Sequence, residues 1–318
     1  MIWVTWRRYR VLFAVFAVLM IALALWMVEL IHSFDVCHDL QAGRLVPCTQ
    51  GTTSLRAQAS VVQLLLHALP CVLGATFGAP LVASELEQST NRLMWTQGIS
   101  RTRWFLSKWT VLVLVLLVLV GLMTFETQWW TTHLSNFVLL NAGRMEPFSF
   151  PISGAAAVAY TLFALSLGTA AGALFRRTSW AISGTIALYV FALFLMLEIR
   201  PNLAPQTFAL SVPGSPRSIP HGSWYVGPGY RYAPGSSEAS ESSESAATVA
   251  DTCQTYHSQP DSSMGYFPCL ASQNVQTGGL YQVPSHYWEI QWKESAILVG
   301  LSVVLVAGSI VAIRAWSA

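Results

Sequence analysis

Residues 109–125 read WTVLVLVLLVLVGLMTF, with no charged side chain in the run. A helix needs about 20 mostly apolar residues to cross roughly 30 Å of hydrocarbon. Five further stretches meet that requirement: 11–31, 61–83, 152–174, 179–199 and 295–313. A transmembrane β-barrel would instead show ten-residue segments that alternate apolar and polar, and these runs do not alternate. The pattern predicts an all-α membrane protein of six transmembrane helices. Composition agrees with that. Only 10% of the 318 residues are charged and 53% are hydrophobic, whereas an ordinary soluble domain carries about 25% charged residues. A soluble cytosolic protein is excluded. A nucleic-acid binder is excluded too, because a net charge of +2 cannot supply a phosphate-binding field.

Basic residues set the orientation. With six spans, both termini share a side with the second and fourth loops. That side holds Arg7, Arg8, Arg10, Arg92, Arg101, Arg103, Lys108, Arg176, Arg177 and Arg314 against the acids Glu85 and Glu87. The opposite side is several times longer and carries most of the acids. Both termini and the 84–108 loop are therefore expected in the cytoplasm, and the long 200–293 loop outside. The segment WRRYR followed by an apolar run resembles a signal peptide in outline. The run is too long for a typical signal core and no small-residue cleavage site follows, so it reads as a retained first span. The expected organisation is 1–199 for the first five spans, 200–293 for a partly disordered outer loop, and 294–318 for the last span and a short tail.

Four of the five cysteines fall in outer loops, as the pairs Cys37/Cys48 and Cys253/Cys269, while Cys71 lies in the second span. Disulfides persist outside the cytosol, so two bridges are expected, Cys37–Cys48 and Cys253–Cys269. The alternatives are free thiols, or a metal site built from His32, Cys37, His38 and Asp39, a cluster without CxxC spacing. No metal site is predicted. The outer loop opens with five prolines from Pro201 to Pro220, which favour extended chain. The stretch 236–250 is Ser/Glu-rich and reads as too polar to bury anything. Trp288 and Trp292, just before the last span, read as interfacial anchors.

The 84–108 loop reads SELEQSTNRLMWTQGISRTRWFLSK. Leu86, Thr90, Leu93 and Met94 fall on one helical face. Gly98 suits a helix end, and Ser100 suits the N-cap of a helix rising into the third span. A short exposed helix of this kind suits docking against a soluble partner. An ordinary basic loop that only sets topology is the plainer alternative.

The same segment resembles the signature of bacterial type-2 ABC exporter permeases, a pattern close to E-x-E-x-G-T-x-x-x-L…P-x-S-R…K. Glu85, Glu87, Thr90, Leu93 or Met94, Ser100, Arg101 and Lys108 stand at the matching places. Ser89 replaces the usual glycine, and Gln97-Gly98 occupy the proline region. The run 78–104, G-A-P-x-x-A-x-E-L-E…R-L-x-W-T-Q…S-R-x-R-W, and the N-terminal WVTWRRYR are similar to a subgroup common in Gram-positive bacteria. The resemblance implies that 84–108 is an ATPase-coupling element in a bacterial cell membrane protein. Glu85 and Glu87 would face basic residues of the ATPase or nearby Arg101 and Arg103, with Leu86, Leu93 and Met94 supplying apolar contact and Thr90 and Arg92 beside them. It further implies two ATPase copies and a second permease, identical or not. The chain has no G-x-x-x-x-G-K-[ST] motif. Hence no cofactor is expected in this chain, ATP and Mg being bound by the partner, and the chain is read as a transport subunit rather than an enzyme.

Few ionisable groups fall within the spans. His67 lies four residues after Gln63 on one helical face, with Pro70 a turn further on. That stripe could line a substrate path, or it could hydrogen-bond to a neighbouring helix. Glu29, Glu126 and Glu198 sit near the outer ends of their spans, where they could ring an exit. Gly74/Gly78 and Gly168/Gly172 are small-xxx-small pairs expected to serve packing within the bundle. Without a charged central pocket, the expected cargo is amphipathic or hydrophobic. An ion-coupled secondary transporter would want mid-membrane carboxylates. A membrane-anchored sensor or enzyme could use His221, His257, His286, Asp251 and Asp261, which follow no recognisable spacing.

Overall fold

The computed structural model describes residues 2–42, 49–87, 100–134, 144–210, 222–234, 236, 243–257 and 266–315. Two compact units make up the chain: Met1–Leu203 with Trp288–Ala318, and Ala204–Tyr287. Among the described residues, six helices are long and apolar enough to cross a membrane, at Arg10–Asp35, Thr53–Glu87, Thr102–Thr132, Gly154–Phe175, Thr178–Asn202 and Pro284–Ala315.

The first unit is built from α1 (Ile2–Ala42), α2 (Thr49–Leu73), a π-helical turn (Gly74–Gly78), α3 (Ala79–Glu87), α4 (Arg101–Leu134), α5 (Gly154–Phe175), α6 (Thr178–Ile199) and α9 (Tyr287–Ala315). Several helices outrun the apolar stretches that announced them. The 34 residues of α4 span about 51 Å at 1.5 Å per residue. Its start is set by Ser100, whose hydroxyl accepts from the Arg103 N–H at 3.4 Å, as expected of an N-cap.

Apolar clusters show the antiparallel arrangement directly. Phe13 and Phe16 near the start of α1 pack with Phe77, with Trp104 and Phe105 at the start of α4, and with Ile313 at the end of α9. Met27, Leu30 and Phe34 further along α1 pack with Val62 and Leu66 of α2 and with Met123 and Trp130 of α4. The bundle thus has one end that carries both termini and one far end. Helix α5 is the hub: its apolar stretch is 72% buried, against 17% for those of α1 and α6.

The second span passes through Pro70 and Pro80 without breaking, but it changes pitch between them. Proline supplies no N–H to the helical ladder. The π turn accommodates the gap, and the Ala79 N–H closes back onto the Gly74 carbonyl. The turn presses Gly74 and Gly78 against α5. A Cβ on Gly78 would lie 2.6 Å from the Leu165 carbonyl oxygen, and one on Gly168 would lie 2.8 Å from the Ala79 nitrogen. The two glycine pairs therefore face each other across one helix–helix seam. In lipid, where apolar burial does not pull helices together, such close backbone approach is a main source of packing energy.

The second unit contains β1 (Thr207–Leu210), β2 (Trp224–Tyr232), α7 (Ser243–His257), α8 (Tyr266–Ser272) and β3 (Val275–Gln282). The strands form an antiparallel sheet in the order β1-β3-β2, with a register shift between Tyr225 and Gly227. Helices α7 and α8 are joined by Cys253–Cys269 and share a core with Val275 of the sheet. This corrects the reading of 236–250 as too polar to bury anything. Ala246, Ala250 and Cys253 form one apolar stripe at i, i+4 and i+7 and are almost wholly buried. Average polarity hid a helical period. The pairing Cys37–Cys48 lies outside the described residues, as do the side chains of His38 and Asp39.

Candidate functional site

Two polar clusters stand out in the membrane unit, one at each end. At the end carrying the termini, α3 and α4 are the two roots of the segment 88–99. Helical spacing turns Leu81, Val82 and Glu85 of α3 inward. The Glu85 carboxylate pairs there with the Lys108 ammonium, and the two residues are only 4% and 6% exposed. Lys108 also lies 4.4 Å above the ring of Trp104, a cation–π contact strengthened by desolvation. Two residues on, Glu87 reaches α6: its carboxylate accepts from the Thr178 N–H at 3.1 Å and the Thr178 hydroxyl at 2.9 Å. A carboxylate at a helix N-terminus satisfies free N–H groups and meets the positive end of the helix dipole.

Glu85 is turned onto Lys108 and Glu87 onto Thr178, so both engage their own chain, while Arg103 is exposed. Leu86 is half-buried against the cluster of Phe77 and Trp104. Thr90, Arg92, Leu93 and Met94 lie outside the described residues, as does the side chain of Arg101.

At the far end, Arg200 and Glu294 form an ion pair with both side chains wholly buried, at 2.8 Å from Nε and 2.9 Å from the second guanidinium nitrogen. The Tyr160 hydroxyl donates to the same carboxylate at 2.6 Å, and Arg200 donates a further bond to the Pro147 carbonyl at 3.0 Å. One turn before Glu294, Gln291 closes the start of α5: its carbonyl accepts from Ala156 N–H at 2.8 Å and its amide donates to Phe150 and Ser153 carbonyls at 3.2 Å. The cluster ties α5, α6 and α9 together. Reading the sequence missed it because Arg200 and Glu294 are 94 residues apart and each stands at the edge of an apolar run. The only local signal was a lone charge abutting a span.

Gln63 and His67 are brought together with the turn that leads into α5. Gln63 donates to Ser149 at 3.2 Å, His67 Nδ1 lies 2.7 Å from the Gln63 carbonyl, and its ring meets Phe148 edge-on. His67 also lines a small cleft with Leu66, Pro70, Ile152, Tyr160 and Tyr189. Glu29 and Glu198 instead stand on exposed faces of α1 and α6, and Glu126 is half-buried. Among the described residues, no three His, Cys, Asp or Glu side chains are placed to hold a metal ion.

Glu146 lies in the same turn, and burial pushes its carboxyl up to about 7. A carboxyl whose folded pKa exceeds its unfolded value binds more protons when folded, so stability falls as pH rises. The expected result is a loss of thermal stability between about pH 4.5 and pH 7 that Glu146→Gln removes. Melting curves of both proteins across that range check it, and parallel profiles would contradict it.

A family model described as ABC-2 membrane transporter related matches residues 10–200, more than half of the chain. The chain belongs to that family. Searches of curated proteins and of solved structures each return no match. The matched stretch of this ABC-2 permease runs from the first span through the fifth, so it takes in Glu85, Lys108 and Arg200. The unit Ala204–Tyr287 and the last span lie beyond it. An ABC-2 permease is the multi-pass transport subunit of an ABC transporter, and membership of the family implies an ATPase partner.

Proposed function

We propose that this ABC-2 permease is the membrane subunit of a bacterial exporter for amphipathic or hydrophobic molecules such as a drug, antibiotic, lipid or peptide. Two permeases, identical or different, work with two separate ATPase subunits in the cell membrane. The 84–108 loop and both termini face the cytoplasm, and the unit at 204–287 faces outward. The family match over residues 10–200 carries the reading. Charge and cargo fit together. The buried charges Glu85–Lys108 and Arg200–Glu294 are neutralised in pairs, and the cleft beside His67 is walled by Leu66, Ile152, Tyr160 and Tyr189. A fully charged small ion would find no uncompensated countercharge there.

Docking is assigned to the segment 88–99, with Leu93 and Met94 as apolar contacts. Co-expression with its ATPase should give a complex that survives purification. Leu93→Asp should reduce its yield at least about tenfold, equivalent to 1.4 kcal/mol, while the permease alone still folds. A wild-type chain that recruits no ATPase would overturn the exporter reading.

A further inference from the structure

We propose that the turn between α5 and α6 binds the headgroup of an anionic phospholipid, with Arg176 and Arg177 holding the phosphate and the outward face of α6 receiving the acyl chains. The proposal needs only a chain that spans a bilayer, so it stands apart from the exporter reading.

Helix length fixes the depth of this turn. Helices α5 and α6 have 22 residues each, about 33 Å at 1.5 Å per residue. That is close to the roughly 30 Å of hydrocarbon in a bilayer, so the ends of both helices fall in the headgroup layers. Only Arg176 and Arg177 lie between Phe175, the last residue of α5, and Thr178, the first of α6. The turn has no loop with which to leave the membrane surface. Helix α4, with 34 residues, has length enough to carry its start beyond the headgroups.

Arg176 takes a left-handed φ of 56° as its N–H closes onto the Gly172 carbonyl, and Arg177 is extended. This sharp reversal leaves two neighbouring arginines exposed, with exposed Leu174, Phe175 and Trp180 on either side of them. Phe175 folds back onto α6, where a Cβ at Gly184 would stand 2.9 Å from its ring, so the apolar surface runs on from one helix to the next. Further along α6, Ile186, Phe191 and Phe194 are exposed as well. A guanidinium fork matches a phosphate bidentately, and tryptophan favours the level of the headgroups. Paired arginines directly above an exposed aromatic and aliphatic surface fit a molecule that carries a phosphate above acyl chains.

The sign of the charge selects the lipid. Among the described residues, the acids at this end are Glu85 and Glu87. Glu85 is paired with buried Lys108, and Glu87 accepts two bonds from Thr178. Exposed Arg7, Arg10, Arg103 and Arg314 share the same end, so its surface field is positive. A zwitterionic headgroup brings an ammonium that this field repels, and an anionic headgroup does not.

The test uses the full chain purified in detergent and titrated with phosphatidylglycerol or phosphatidylcholine of equal chain length, bound lipids being counted by native mass spectrometry. Wild type should bind phosphatidylglycerol about tenfold more tightly than phosphatidylcholine. The double variant Arg176→Gln with Arg177→Gln should lose that preference with its melting temperature unchanged, because both residues are exposed. Lysine at both positions should retain part of it, since the charge survives and the bidentate fork does not. Arg7→Gln with Arg10→Gln is the control for a diffuse basic surface and should keep the preference. Equal loss in the two glutamine double variants overturns the site, because charge alone then attracts the lipid. So does displacement of phosphatidylglycerol by inorganic phosphate, which would make the turn a site for the free anion. A turn variant that binds lipid like wild type but no longer retains the ATPase makes these arginines a protein contact, and that also overturns the proposal.

Discussion

Replacing Glu294 by alanine is expected to destabilise the protein by about 3–5 kcal/mol, because it strands the guanidinium of Arg200 in a site closed to water. Both side chains of the pair are wholly buried, and the carboxylate also accepts the Tyr160 hydroxyl. Arg200→Met should cost a comparable amount, since the carboxylate is then left without its countercharge. The double substitution Arg200→Met with Glu294→Met should recover most of the loss, because apolar residues of similar volume need no compensation. Thermal unfolding in detergent reads this as a drop on the order of 10 °C for either single variant. Two single variants that melt like wild type would show that water reaches the pair.

The second large effect concerns the seam between the π turn and α5. Gly168→Ala is expected to cost about 1–3 kcal/mol, since the new methyl would stand 2.8 Å from the backbone nitrogen of Ala79. Backbone cannot rotate away as a flexible side chain can. Gly78→Ala should act in the same way against the Leu165 carbonyl. Gly300→Ala and Gly308→Ala are the controls. A Cβ at either meets nothing within 4 Å, and alanine exceeds glycine in helix propensity by about 1 kcal/mol. Those two variants should be neutral or slightly more stable. Equal melting shifts at all four positions would contradict the seam.

The six spans were legible because the bilayer imposes a one-dimensional rule: an uncharged run of sufficient length must cross as a helix so that its backbone can satisfy itself. That rule is local, and it works on 109–125 without reference to any other residue. The Ser100 N-cap was legible for the same reason, since the cap and its Arg103 N–H lie within one turn. The stripe Ala246, Ala250 and Cys253 was also present to be read, but average composition concealed its period.

Other features had no local signature. The spacing of Gly74/Gly78 and Gly168/Gly172 showed that each helix could be approached closely, and only packing showed that the two pairs approach each other. Glu85 and Glu87 were legible as an acidic motif just before the segment 88–99. The turn of α3 sends the first to Lys108, 23 residues on, and the second to Thr178, 91 residues on.

By itself the sequence determined that the chain crosses a membrane and about how many times, because those properties depend on runs of neighbouring residues meeting lipid or water. Which charges are neutralised, and by whom, was decided only by tertiary structure. A buried carboxylate needs a partner in space, and Glu294 finds Arg200 only after two helices have been laid side by side.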